Sequence, residues 1–260
     1  MQSEKQYIDL YTEAQQLIKE HAAPVLNEVR DKAFEDFRRQ GFPTKKVERY
    51  KYTDMQKLFE PDYGLNLNRL EIPVNPYETF KCDVPNLSTS LYFVVNDQFY
   101  SKALPKAKLN DGVIVDSLNR VATERPELVA KYYGRLANTE ADAITALNTM
   151  LAQDGLFIYV PKNVQLERTI QVINILRSDV DLMVNRRVLI VLEEGAKAQF
   201  LFCDHAADDR NFLATQVIEA YVGANANLEL NCLEETHAKN VRVSNVYIEQ
   251  QRDSRASHNV

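Results

Sequence analysis

"VLIVLEEGAKAQF" (188–200) and "QVIEAYVGANANL" (216–228) superimpose when the second is moved back 28 positions. Ile190 then falls on Ile218, Gly195 on Gly223, Ala196 on Ala224 and Ala198 on Ala226. Each copy is an apolar run, a tight corner and a return through small residues. The frame recurs upstream in "FIYVPKNVQLE" (157–167), with Asn163 at the glycine position 32 residues before Gly195. It recurs downstream in "VYIEQQRDSRA" (246–256), with Asp253 30 residues after Gly223. Asn and Asp are the side chains that best tolerate the left-handed backbone glycine supplies. A unit that returns to the same corner every 28 to 32 residues fits a β-solenoid, whose rungs stack because none is stable alone. The corners expected are Asn163, Gly195, Gly223 and Asp253.

Around these copies the texture agrees. From Gly155 onward, "LFIYVP", "IQVINIL", "RRVLIVL", "AQFLFCD", "TQVIEAYV", "ANLELNCL" and "VRVSNVYI" read as short strands rich in Val, Ile and Leu. No interval between them is long enough for a crossover helix, which excludes a doubly wound α/β sheet. Before Gly155 the period is helical. Residues 3–40 read as two helices, the first carrying Tyr7, Leu10, Tyr11, Ala14, Leu17 and Ile18, the second opening at Pro24 and capped by Gly41. Pro61, Pro73, Pro76 and Pro85 punctuate the next stretch, "LYFVVNDQFY" (91–100) reads as two strands joined at Asn96-Asp97, and 116–151 turns helical again. The division expected is 1–60 helical, 61–152 mixed, and 153–260 parallel β-helix.

Composition excludes several functions. The 260 residues are 45% hydrophobic with a net charge of −6, enough apolar content for a large core and a poor match to polyanions. Only seven glycines occur, and neither phosphate-cradling glycine motif is present, so ATP or NAD binding by a standard loop is not expected. No run approaches a membrane span, and the N-terminus lacks a secretory apolar core, so a cytoplasmic protein is expected. Cys82, Cys203 and Cys232 form no CxxC pair and suggest neither a disulfide framework nor a zinc knuckle.

One stretch resists this bland reading. Residues 38–57 carry seven basic side chains against Glu48 and Asp54, with Tyr50 and Tyr52 flanking Lys51. No nucleic-acid module surrounds them. The reading is a structural joint: Tyr50, Tyr52 and Phe59 anchor it to the body while Lys45, Lys46 and Lys51 stay solvated. Thr53 or Asp54 can cap a short helical turn within it. "FCDHAADD" (202–209) offers Cys203 and His205 as candidate metal ligands, but strand alternation keeps the acceptable side chains from converging. Buried small hydrophobes are the competing reading of Cys203 and Cys232. A shift of 28 sets Cys232 over Asp204, so the two thiols are expected on opposite faces. The same shift stacks no carboxylate on another, which argues against a polysaccharide-active β-helix enzyme.

"FPTKKVERYKYTD" (42–54), "LNTMLAQDGLFIYVPKNVQLERTIQV" (147–172) and "LIVLEEGA" (189–196) resemble the SufB/SufD family of iron–sulfur cluster assembly proteins, the first stretch favouring the SufD branch with Tyr50 where tryptophan is common. The resemblance spans about residues 35–260. It implies a helical N-terminal region, a right-handed parallel β-helix and a C-terminal helical domain. It further implies a non-catalytic scaffold that pairs with a SufB-like subunit, or with its own copy, through the β-helix and works with the ATPase SufC. Any iron–sulfur cluster would belong transiently to the full complex. Val260 falls in mid-rung without a polar cap, so the chain is expected to be the N-terminal portion of a longer protein. A generic β-solenoid interaction protein is the alternative.

Overall fold

The repeat read from 188–228 is a flattened coil of two strands per circuit. The computed structural model describes residues 2–79, 89–102, 104, 109 and 112–260; Cys82 lies outside them. In chain order come α1 (Gln2–Glu20), α2 (Pro24–Asn27), α3 (Arg30–Gln40), a 3-10 turn at Glu48–Tyr50, α4 (Met55–Leu58) and α5 (Pro76–Thr79). Next are β1 (Thr89–Val95), β2 (Gln98–Phe99), β3 (Ile114–Ser117), α6 (Leu118–Glu124), α7 (Pro126–Ala130) and α8 (Ala143–Leu151). The coil follows as β4 (Leu156–Val160), β5 (Thr169–Leu176), β6 (Leu182–Leu192), β7 (Lys197–Ala206), β8 (Phe212–Val222), β9 (Asn227–Glu235), β10 (Asn240–Gln250) and β11 (Arg255–Asn259).

Alternate strands fall into two sheets, ordered β11-β9-β7-β5-β1-β2 and β10-β8-β6-β4-β3. From β4 onward every pairing is parallel, as a coil requires. Leu156 pairs with Val188, Leu182 with Phe212 and Asn240 with Phe212, so the three circuits on this sheet take 32, 30 and 28 residues. The 28-residue superposition of 188–200 on 216–228 is therefore two residues short. The true step there is 30, placing Ile190 beside Ala220. A slip of two preserves which face each side chain occupies, so the inside/outside assignments survive it.

Strands β1 to β3, from the Pro-punctuated region, join these sheets. β1 pairs in parallel with β5, and β3 pairs antiparallel with β4. Asn96 turns β1 into β2 at φ 57°.

Between the sheets lies an apolar lumen. Ile158, Val172, Ile190, Phe200, Phe202, Ile218, Leu228 and Leu230 fill it. Opposite faces of the same strands pack outward. Met183 and Leu213 meet α1, α3 and α8, while Phe157, Leu189 and Val191 meet α2, α6 and α7. β6 is buried along its whole length because it is covered on both faces. α8 is likewise enclosed on all sides. Its apolar stripe is as expected, but the other side is buried too. There Asn148 donates to the Arg186 carbonyl at 3.0 Å and to Thr215 Oγ1 at 3.0 Å, knitting the helix to β6 and β8.

The second expected helix breaks at Glu28–Val29, giving α2 and α3. Gly41 ends α3 at φ 62° with its N–H on the Phe37 carbonyl, and Asp54 caps α4 through the Lys57 amide. Among the described residues no helix is long and apolar enough to cross a membrane.

Candidate functional site

The basic-aromatic joint folds around one buried carboxylate. Asp142 caps α8, its Oδ1 accepting the Thr145 amide at 2.8 Å. Its Oδ2 accepts the Tyr50 hydroxyl at 2.7 Å and Arg49 Nη1 at 3.1 Å. From β10, Asn245 Nδ2 donates to Asp142 Oδ1 and to Thr145 Oγ1, both at 2.8 Å, and Tyr247 shares a hydrogen bond with the same Thr145 hydroxyl. Joint, helix cap and solenoid strand are thus one polar network, of the kind that fixes a unique arrangement only when all its members are satisfied. Burial and the neighbouring carboxylate push the Tyr50 hydroxyl well above the usual phenol range, which keeps it a donor.

Tyr50 and Phe59 are buried, Phe59 against Phe42 and Tyr7. Tyr52 is 89% exposed. The expectation that it anchors the joint is corrected: it points to solvent with the Lys51 ammonium 5.0 Å above its ring. The 3-10 turn at Glu48–Tyr50 aims Tyr50 inward, and Tyr52 lies on the following turn, closed by the Thr53 amide on the Tyr50 carbonyl. Between the joint and β10 runs a groove of about 660 Å³ walled by Arg49, Thr53, Met55, Leu58, Val243 and Tyr247.

A second constellation sits inside the lumen. Asp204 accepts Arg186 Nη1 at 2.5 Å and Arg242 Nη1 at 2.7 Å, and Arg242 reaches on to Glu234 at 3.3 Å. Arg186 Nε also donates to the Asn96 carbonyl at 2.8 Å. In the true register Asp204 stacks directly on Glu234. The expectation that no carboxylate stacks on another is therefore corrected. The two like charges coexist because Arg242 spans them, and Asp204 is nearly sealed from solvent. Arg242 thus engages both carboxylates, the buried Asp204 and the 41% exposed Glu234.

The cysteines separate as alternation demands. Cys203 faces out, packed with Phe93, Ile173 and Ile175, while Cys232 faces in against the lumen core. The 30-residue step pairs Phe202 with Cys232, and Cys203 with Leu233. His205 Nδ1 lies 3.5 Å from Glu235. Among the described residues no three His, Cys, Asp or Glu side chains are grouped to hold a metal. Cys232 Sγ is 3.7 Å from His258 Nε2, a contact between the last two strands of one sheet that residue spacing alone does not reveal. Burial pushes the Cys232 thiol up and the His258 imidazole down, so both are neutral partners and not a thiolate–imidazolium pair.

A buried ion pair not anticipated above ties the coil to the helical layer. Arg187 and Glu219 are both fully buried, 2.7 Å apart. Glu219 accepts the backbone amides of Gly134, Leu136 and Ala137, and Arg187 donates to Thr149 Oγ1 at 2.9 Å and lies 4.8 Å from the Tyr133 ring centroid. Charged residues inside runs otherwise read as core strands were the available signal, and their partners lay on a helical layer no repeat reveals.

Three of the four expected corners, Asn163, Gly195 and Asp253, adopt positive φ (61°, 70° and 59°). The fourth is Asn225, at 59°, not Gly223. Gly223 is glycine for another reason: a Cβ there would lie 2.7 Å from the Glu194 amide of the rung beside it. The four corners step by 32, 30 and 28 residues, matching the strand registers.

Family models match two consecutive stretches of the chain, meeting within β5: the SufBD protein N-terminal region over residues 1–172, and the SUF system FeS cluster assembly SufBD core domain over 174–260. The chain is 32% identical over 131 residues to the chloroplastic iron–sulfur cluster assembly SufBD family protein ABCI8 of Arabidopsis thaliana, covering 49% of this chain and 23% of that protein. It is 32% identical over 135 residues to the SufBD family protein slr0074 of Synechocystis (51% and 28%). Against the iron–sulfur cluster assembly protein SufD of Bacillus subtilis it is 33% identical over 121 residues (46% and 27%). The alignments thus cover about a quarter of each of these relatives. Matched by one family model over its first 172 residues and by the other over 174–260, this chain belongs to the SufBD family.

Proposed function

We propose that the chain is a SufD-like, non-catalytic scaffold in SUF iron–sulfur cluster assembly, acting beside a SufB-like subunit and a SufC-like ATPase. The observation that carries this reading is the pair of adjacent family matches over residues 1–172 and 174–260, on a chain whose helices pack over one face of a parallel coil. The buried polar groups are spent on structure. Asp142 holds the joint, Glu219 holds the helical layer, and Asp204 holds the rungs. On this reading an iron–sulfur cluster is cargo of the assembled complex, and the work of ATP belongs to a separate subunit.

Co-expression with SufB-like and SufC-like subunits from one genome tests the proposal. A stable complex that builds a cluster on an apo-ferredoxin only when this chain is present supports it. Equal cluster delivery without the chain, or no complex with either subunit, overturns it.

A further inference from the structure

On the outer face of the β10-β8-β6-β4-β3 sheet, Tyr159, Val191, Tyr221 and Glu249 stand in one row across β4, β6, β8 and β10. The segment that follows α7 sets Lys131 and Tyr132 beside this row. Between segment and sheet lies a pocket of about 350 Å³, with Lys131, Tyr132, Glu193, Glu194, Tyr221 and Glu249 in its lining. That is within the size range of small-ligand sites. The pocket opens on the face of the sheet and not at its edge. Strands β4, β6 and β8, which carry the two tyrosines of the row and lead into Glu193, each have a neighbour on both sides.

The lining combines aromatic rings with carboxylates. Tyr132 and Tyr221 form an angled wall, their centroids 4.9 Å apart and their planes at 59°. The Tyr221 hydroxyl fixes it by donating to the Tyr132 carbonyl at 2.7 Å. Tyr132 in turn donates to Glu193 Oε1 at 3.1 Å, and Tyr159 hydrogen-bonds the same carboxylate. Burial and Glu193 push the Tyr132 hydroxyl up to about 12, so it stays a neutral donor on an electron-rich ring. Glu194 is paired with Lys162 at 2.8 Å. Among the described residues no ion pair engages Glu193 or Glu249, the rim residue Lys131 included.

From this geometry we infer that the pocket binds a guanidinium group, carried by an arginine side chain or by a small free guanidine. The planar cation stacks on the tyrosine wall, and its fork of N–H donors meets Glu193 and Glu249. A quaternary ammonium would use the rings but leave both carboxylates without a donor. The inference rests on this pocket alone and stands apart from the iron–sulfur reading.

Isothermal titration of the whole 260-residue chain with N-acetyl-arginine methylamide tests it. The expected result is binding at least ~10-fold tighter than that of the citrulline counterpart, which keeps the shape and loses the charge, a 1.4 kcal/mol difference. Affinity should fall as salt rises. Ethylguanidine distinguishes the two sources. Binding as tight as the arginine amide supports a free guanidine, and a preference for the amide supports an arginine of a protein chain. Glu193→Gln and Glu249→Gln should each weaken binding ~10-fold with an unchanged circular dichroism spectrum. Tyr132→Leu should weaken it as well, whereas Tyr132→Phe, which keeps the ring, should retain more of the affinity. Equal binding of the arginine and citrulline compounds, no binding up to about 10 mM, or full affinity in both glutamine variants would each overturn it.

Discussion

Arg186 and Arg187 are neighbours on β6, yet they serve two different regions of the molecule. Arg186 points into the lumen, where it shares Asp204 with Arg242 and the polar chain continues to the partly exposed Glu234. Arg187 points to the helical layer, where it and Glu219 are sealed completely and three backbone amides converge on the carboxylate. The strand's period of two produces the split. The lesson is that the lumen ties rung to rung with a network that reaches solvent, whereas the layer interface is held by a closed pair with no substitute counter-charge among the described residues.

Removing one partner of a closed pair leaves an uncompensated buried charge. Glu219→Gln is expected to destabilise by about 3–5 kcal/mol in urea unfolding, the largest single effect considered. Asp204→Asn should cost less, about 1–3 kcal/mol, because Arg242 retains Glu234 and Arg186 retains the Asn96 carbonyl. Equal losses would erase the distinction between the regions.

The joint allows a sharper contrast over two residues. Tyr50→Ala removes a buried ring and the hydroxyl on Asp142 and should cost about 3–5 kcal/mol, as for other buried aromatics. Tyr52→Ala should stay within about 0.5 kcal/mol. In the coil, Gly223→Ala forces a Cβ onto the neighbouring rung's backbone and should cost about 1–3 kcal/mol. Asn225→Gly keeps the left-handed corner and should change stability by less than about 1 kcal/mol. Differential scanning calorimetry reads both.

The smallest effect concerns pH. Burial holds the His205 imidazole below its ordinary value near 6.5. The unfolded chain therefore binds this proton more readily, and stability falls as pH drops from about 6.5 through the lower folded value. His205→Gln should flatten the loss of Tm on going from pH 7 toward pH 5. An unchanged slope would place the acid sensitivity elsewhere, for example in the carboxylates of Asp31 and Asp36, whose hydrogen-bonded lysines hold them below the usual range.

The coil was legible because alternation and a recurrent tight corner are local signals. Its register was misread by two because Gly195 and Gly223 look alike in sequence but answer different demands, a positive φ in one and close approach of backbone in the other. Tyr50 and Tyr52 were indistinguishable by composition. Their fates depend on where the 3-10 turn ends and on Asp142, 92 residues away from Tyr50. The enclosure of α8 and the Arg187–Glu219 pair arise from packing of two layers, which periodicity within one element does not encode. Face assignments survived the register error since alternation has period two, and so Cys203 and Cys232 were separated on the right grounds.

The central claim is a parallel coil whose circuit between β7 and β9 takes 30 residues. In a chain with its native cysteines replaced by serine, paired cysteines at 199 and 229 would sit opposite one another, where Gln199 now donates to Glu229 at 2.9 Å. Oxidation should link that pair quantitatively, within the separation a disulfide spans, and should spare a 201/229 pair. Preferential linkage of 201 to 229, or linkage of neither, would contradict the account.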